Sequence, residues 1–128
     1  NFNKFLTDNE RFYVYLPGEI MLIKAEAYAR KNDLPNALIE VNNVRTKTTD
    51  AVGMGANLPA KTALDLPTQQ AMLDEIYTQR RYELLITGVA VGDSRRFGRP
   101  QAERTRDWLP YPDTERLSNP NTPADPAF

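Results

Sequence analysis

The chain has 128 residues and an almost balanced charge, since 16 lysines and arginines stand against 17 aspartates and glutamates and leave a net charge of -1. That length suits one domain or part of one, and that balance gives the whole chain no field that favours nucleic acid or an anionic membrane surface. The sequence has no cysteine and no histidine, which excludes disulfides, thiolate nucleophiles, zinc–thiolate sites, and histidine as a metal ligand or general base.

Two neighbouring helices are predicted near the start of the chain. The stretch "ERFYVYL" at 10–16 is rich in aromatic and β-branched residues and is expected to be an extended lead-in. After it, "PGEIMLIKAEAYARKN" predicts a helix up to Asn32 with Pro17 in its first turn, and "LPNALIEVNNVRTK" predicts another over 34–47 with Asp33 as its N-cap. So short a link makes the two helices antiparallel neighbours, with the size and style of one tetratricopeptide-like unit.

A loop, a third helix and a tail follow. The segment 48–67 holds two glycines and two prolines and shows no sustained hydrophobic period, which predicts a long loop. A longer helix is predicted from Thr68, its N-cap, to Thr87, after which a glycine ends it, and "VAVGDSRRFGRP" predicts a short helical turn. The tail at 99–128 includes "WLPYPDTERLSNPNTPADPAF", which holds five of the ten prolines and is therefore expected to be extended.

A charged cluster lies inside the third predicted helix, in "YTQRRYELLITG". Arg80 and Glu83 are three residues apart there, so they can pair with each other and face inward or sideways. A catalytic interpretation would need a carboxylate pair with separated pKa values in a cleft, and the sequence supplies only the carboxylates. A nucleic-acid interpretation meets acidic residues interleaved among the arginines. We therefore expect the arginines to clamp helices and loop carbonyls.

The aromatic residues allow two interpretations. Trp108, Tyr111 and Tyr82 could stack against the faces of sugar rings, because C–H groups suit a π surface. Trp108 and Tyr111 flank prolines in the tail, however, where an aromatic side chain typically anchors the chain to a core. Packing against the first helix pair is likewise expected for the aromatic residues of the lead-in, which are Phe12, Tyr13 and Tyr15.

Three motifs occur in order along the chain. The first lies in "LPGEIMLIKAEAYARKNDLPNALIEVNNVRTK" and is formed by Glu19, Leu22, Ala25, Glu26, Ala27, Ala37, Asn42, Val44 and Arg45. The second lies in "IYTQRRYELLITGVAVGDSRRFGRP" and is formed by Ile76, Arg80, Glu83, Leu84, Gly88, Asp93, Arg96 and Gly98. The third lies in "LPYPDTERLSNPN" and is formed by Leu109, Pro110, Pro112, Glu115, Asn119 and Pro120. In this order they resemble the motifs of the SusD/RagB family, with departures at Pro17, Gly18, Gln79, Thr87, Ala90 and Ser94.

The resemblance implies a fold and a place in the cell. The expected fold is all-α, a SusD-like superhelix of tetratricopeptide-like helix pairs with long loops and a Pro-rich extended C-terminal tail. The chain, 1–128, corresponds to the C-terminal part of such a domain; its lead-in with helix pair, loop, long helix with turn, and tail lie at 10–47, 48–67, 68–98 and 99–128. Family members are outward-facing outer-membrane lipoproteins, so the lipid anchor is expected on an N-terminal segment missing here.

The resemblance also implies a function. Family members bind glycans or other oligomeric nutrients and deliver them to a SusC-like TonB-dependent outer-membrane transporter, which is the expected partner. We expect no enzyme activity, no cofactor, no metal and no nucleic acid, and we assign the motif residues to the frame of the fold, so the residues that contact ligand stay unidentified. The alternative is a tetratricopeptide-type scaffold that binds a peptide or partner subunit and no small molecule.

Overall fold

The computed structural model describes residues 14–48, 56–85, 87–104 and 110–124, which fall into two compact units, Asn1–Gly88 and Val89–Phe128. In chain order the elements are α1 (Pro17–Arg30), α2 (Leu34–Arg45), α3 (Gln69–Glu83), α4 (Ala90–Arg96), a 3-10 turn (Gln101–Glu103) and α5 (Asp113–Ser118). These ranges contain no strand, so the predicted all-α fold is confirmed. Within the same ranges, none of the helices has the length and apolar character that spanning a membrane requires.

The first two helices form an antiparallel hairpin. Pro17 opens α1 without losing a hydrogen bond, because the first N–H groups of a helix have no intrahelical acceptor. Asn32 has a φ of 61° and reverses the chain, and the Asp33 carboxylate then accepts a hydrogen bond from a first-turn N–H of α2 at 3.4 Å. Lys24 and Glu40, which are equally distant from Asn32 in sequence, form an ion pair whose hydrogen bond raises the pKa of the lysine. The predicted Asp33 cap and antiparallel packing are confirmed.

The third helix completes a three-helix unit by lying against both α1 and α2. At its start the Gln69 side-chain amide donates to the Ala29 carbonyl at 2.8 Å, and near its end Arg80 approaches Glu19 to 3.9 Å. Helix α3 therefore runs antiparallel to α1. Small and aliphatic side chains from all three helices form the buried core: Leu22, Ala25, Ala29, Ala37, Val41, Val44, Met72 and Ile76. Burial of each large aliphatic side chain stabilises the unit by about 1.5–3 kcal/mol.

Helix α3 begins where the sequence predicts and ends earlier. The Thr68 hydroxyl accepts a hydrogen bond from the Ala71 N–H at 3.1 Å, so the predicted N-cap is confirmed. The prediction that this helix reaches Thr87 is wrong, because α3 ends at Glu83. The Thr87 N–H and hydroxyl both donate to the Leu84 carbonyl, at 3.1 and 2.7 Å, and this local turn takes the acceptor that a longer helix would use.

In the part of the second unit that the structure describes, there are two short α-helices. Helix α4 confirms the helical turn predicted in "VAVGDSRRFGRP", and it stops before Gly98, whose φ is 61°. The prediction that the tail at 99–128 is extended is wrong for part of its length, since the tail holds α5. The stretch 113–119 contains no proline, so nothing interrupts a helix there. Pro112 directly precedes α5, where its missing N–H removes no helical hydrogen bond.

Candidate functional site

Arg45 joins two helices and a loop. Its Nη1 group donates to Glu75 Oε1 at 2.7 Å, across the contact between α2 and α3, and its Nε group donates to the Pro59 carbonyl at 2.6 Å. The Gln79 amide donates to the same Glu75 oxygen at 2.8 Å and so holds the carboxylate in place for Arg45. Both side chains of the ion pair are mostly buried, with 14% and 13% of their surface exposed. A guanidinium engaged in this way stabilises the packing of the helices.

The loop that follows α2 is fastened along that helix. The Asn42 side chain bonds to the main chain of Lys61 in both directions, accepting from its N–H at 2.8 Å and donating to its carbonyl at 2.9 Å. A backbone bond from the Leu58 N–H to the Arg45 carbonyl at 2.9 Å continues the attachment. The sequence predicted a loop at 48–67 without a role for its residues. Asn42 belongs to the first motif, but its partner lies 19 residues away and could not be identified from sequence.

Arg80 and Glu83, the charged residues of the second motif, are buried, with 4% of each exposed, so their predicted inward orientation is confirmed. The Arg80 guanidinium approaches Glu19 of α1 to 3.9 Å, and Glu83 forms an ion pair with Lys47, just after α2. The Glu83 carboxylate also covers Gly18, where a Cβ atom would overlap it. The two residues therefore tie α3 to both neighbouring helices, while their pairing with each other stays a prediction.

The motif charges of the second unit are also engaged inside that unit. Arg96 donates to the Asp93 carboxylate at 2.8 Å, and its guanidinium lies 4.6 Å from the centroid of the Phe97 ring. Arg99, which follows the last residue of the second motif, donates twice to the Glu103 carboxylate, at 2.7 and 2.8 Å, in the two-pronged geometry that suits a guanidinium. These contacts support the structural interpretation of the motif arginines.

Three of the described aromatic residues are exposed: Tyr15, Tyr82 and Tyr111, at 68%, 61% and 47%. The predicted packing of Tyr15 on the helix pair is wrong, because Leu16 takes the inward position and successive side chains of an extended segment point to opposite sides. Tyr111 is the least exposed of the three, and its role as an anchor stays a prediction. Tyr82 presents its ring to solvent from α3. The remaining aromatic residues considered from sequence lie outside the described residues, namely Phe12, Tyr13 and Trp108.

An apolar groove of about 390 Å³ lies in the first unit, where the start of α2 meets the start of α3. All of its lining residues are apolar: Leu34, Pro35, Leu38, Ile39, Ala63, Leu66, Pro67 and Met72. These side chains offer a sugar neither an aromatic ring nor a hydrogen-bonding group, so the groove suits an aliphatic occupant. The groove could not be predicted from sequence, because its residues come from separate segments that meet only when the helices pack.

A hydrogen-bonded turn beside the groove carries a protruding leucine. The Asp65 carboxylate accepts from the Thr62 N–H at 2.7 Å and from its hydroxyl at 2.8 Å, and the Asp65 N–H donates to the Thr62 carbonyl at 3.1 Å. The bonds from the Thr62 N–H and hydroxyl lower the pKa of Asp65, because they stabilise its ionised form. Leu64, inside this turn, is 92% exposed. The turn therefore holds an apolar side chain in water.

A comparison with known protein families matches residues 3–125 to the model of the SusD family. That span contains the five α-helices of the described residues and all three motifs. No curated protein and no solved structure gives a significant match to the chain.

Proposed function

Because the chain belongs to the SusD family, we propose that it is the glycan-binding subunit of an outer-membrane nutrient uptake complex. The protein captures an oligosaccharide, or another oligomeric nutrient, outside the cell and passes it to a SusC-like TonB-dependent transporter. A lipid anchor holds it on the outer face of the outer membrane, and it binds its ligand without turnover. The family match over residues 3–125 is the observation that carries this proposal.

The contacts in the structure support a distinction between residues that hold the helices together and exposed residues that contact ligand. Arg45, Arg80 and Glu83 are largely buried in contacts between helices, so we do not assign them to glycan binding. Tyr82 differs, because 61% of the residue is exposed on an ordered helix. An exposed tyrosine offers a ring on which the C–H face of a sugar can stack and a hydroxyl that can bond to it. We therefore assign Tyr82 to the ligand surface, together with segments outside the motifs.

Titration calorimetry of the intact protein against a panel of soluble glycans tests the proposal. A reducing-end assay on the same mixtures measures whether any glycan is cleaved. Binding without cleavage supports a nutrient-binding subunit. Cleavage would instead make the protein an enzyme, which would require a pair of carboxylates at the sugar.

A scaffold that binds a peptide is the second candidate function. The observation that favours it is the apolar groove, which suits an aliphatic side chain better than a sugar. Tight binding to a peptide, with no binding to any glycan of the panel, would replace the first proposal with this one.

A further inference from the structure

We propose that Gln79 makes the contact between α2 and α3 insensitive to pH between about pH 5 and pH 8, because its neutral side chain occupies a buried position where a carboxylate would bind a proton. Gln79 acts through the charged residues around it, so it is a positioning residue rather than a residue that contacts ligand. The proposal concerns the first unit alone, Asn1–Gly88, and it does not depend on the proposed glycan function.

Gln79 lies in a row of acceptor side chains on α3. Glu75, Gln79 and Glu83 follow one another at four-residue spacing, which places them on one face of the helix. Glu75 pairs with Arg45 of α2 at 2.7 Å, and Glu83 pairs with Lys47, just after α2. In these pairs two carboxylates face two cations, so the row is balanced with no charge at position 79.

The surroundings of the Gln79 amide suit a neutral group. The residue is 1% exposed, and its Nε2 group donates to Glu75 Oε1 at 2.8 Å. Its Oε1 atom is also buried, and within the described residues no donor forms a hydrogen bond with it. A carboxylate at position 79 would therefore have a second carboxylate on one side and no hydrogen-bond donor on the other.

The cations near Gln79 are engaged with other carboxylates. Arg45 and Lys47 pair with the carboxylates at the two ends of the row. Arg80, the next residue of α3, approaches Glu19 of α1 to 3.9 Å. Burial and a neighbouring like charge both favour the neutral form of a carboxyl group, so a glutamate at position 79 would keep a proton.

An amide gives the same hydrogen bond without that proton. A protonated carboxyl group at position 79 could donate to Glu75 as the Gln79 amide does, but it would lose its proton as the pH rises and would then repel Glu75. An amide does not titrate, so the bond from Gln79 has no proton that can leave. The bond that holds the Glu75 carboxylate in place for Arg45 therefore does not depend on a titrating group at position 79.

Melting temperatures of Gln79→Glu and Gln70→Glu in the intact protein test the proposal. Gln70 is the matched control, because it also donates to a carboxylate four residues away on α3, that of Asp74 at 3.1 Å, but is exposed. Relative to wild type, Gln79→Glu should lose about 5 °C or more as the pH rises from about 5 to about 8, because the folded state then binds a proton that the unfolded chain has already lost. Gln70→Glu should change by about 2 °C or less.

A swap of the two side chains shows whether the proton arises from the carboxylate pair. The double variant Glu75→Gln with Gln79→Glu again contains one carboxylate and one amide, so it should lose most of the pH dependence of Gln79→Glu. A Gln79→Glu protein that follows Gln70→Glu at every pH overturns the proposal. So does one that is unfolded even at about pH 5, where a protonated carboxyl group should replace the amide, and so does a swap that keeps the pH dependence of the single variant.

Discussion

At Gly18 the absence of a side chain decides where the Glu83 carboxylate can lie. The carboxylate sits over this glycine near the start of α1 and pairs with Lys47. A buried carboxylate is costly unless it is paired and hydrogen-bonded, so its position depends on the space that residue 18 leaves open. Gly18, Lys47 and Glu83, which are far apart in the sequence, therefore lie together in the fold.

We expect Gly18→Ala to destabilise the protein by about 1–3 kcal/mol, because the new methyl group displaces Glu83 from its pair with Lys47. Gly92→Ala is the control. Gly92 lies within α4 with open space around it, so the same change there should stabilise the helix by about 0.5–1 kcal/mol. Urea denaturation of both variants gives the two free energies of unfolding. Equal effects at the two glycines would contradict the role assigned to Glu83.

Arg80→Met is expected to lower the free energy of unfolding by about 1–4 kcal/mol, since it removes the buried cation that approaches the Glu19 carboxylate between α3 and α1. The neighbouring Arg81 is exposed, and Arg81→Met should cost about 0.5 kcal/mol or less. Thermal and urea denaturation measure both. An Arg80→Met protein that keeps full stability but no longer binds glycan would show that Arg80 contacts ligand and that our structural assignment is wrong.

At the scale of elements, the helix caps could be predicted from sequence and the path of the loop could not. Thr68 and Asp33 bond to N–H groups three residues ahead, so a short stretch of sequence contains both partners. The bond between Asn42 and the main chain of Lys61 spans 19 residues and exists only because the loop folds back on α2. The groove and the exposed turn depend on the same fold-back and were equally inaccessible to sequence reasoning.

Asn42→Ala should loosen the loop without unfolding α2. The Lys61 N–H loses its acceptor, so we expect its hydrogen exchange to accelerate about fivefold to thirtyfold. The Leu58 N–H bonds to a backbone carbonyl and should change much less. Asn43→Ala, at the exposed neighbouring position, provides the control. Unchanged exchange at Lys61 in the Asn42→Ala protein would contradict the attachment that we describe.

The turn at 62–65 should respond to acid. The pKa of Asp65 is lowered from its ordinary value of 3.8, so its bonds contribute fully above that pH and are lost as the pH falls through the lowered pKa. We expect the NMR signal of the Thr62 amide to move only in that acidic range, because protonation weakens the carboxylate as an acceptor. Asp65→Asn should abolish the titration. A Thr62 signal that moves at neutral pH would assign it to another group.

At the scale of the whole molecule, the ordered motifs were sufficient to identify the family, and the match over residues 3–125 confirms it. The identity of the ligand could not be predicted in the same way. Motif residues such as Arg45 and Asp93 form ion pairs with other residues of the fold. A sugar is instead recognised by exposed groups, and these follow no fixed spacing in the sequence.

Tyr82→Ala is expected to weaken glycan affinity about two- to tenfold and to leave stability nearly unchanged, because its ring is exposed and stacking contributes modestly. Arg96→Met should do the opposite, lowering the yield of folded protein while each folded molecule keeps its affinity. Calorimetry with the best glycan of the panel, beside a melting curve for each variant, measures both effects. Full affinity in the Tyr82→Ala protein would remove Tyr82 from the ligand surface.

The Gln69 side-chain amide donates to the Ala29 carbonyl near the end of α1, although the two residues are 40 positions apart in the sequence. That separation bears on the order in which the unit folds. The hairpin of α1 and α2 closes through a short link and costs little loop entropy, so it is suited to form first. The Ala29 carbonyl already accepts from the Asn32 N–H within the hairpin, and it and the Arg30 carbonyl gain the Gln69 donor only when α3 docks. We therefore expect docking of α3 to add its stabilisation late and to slow the opening of the finished unit more than it accelerates assembly.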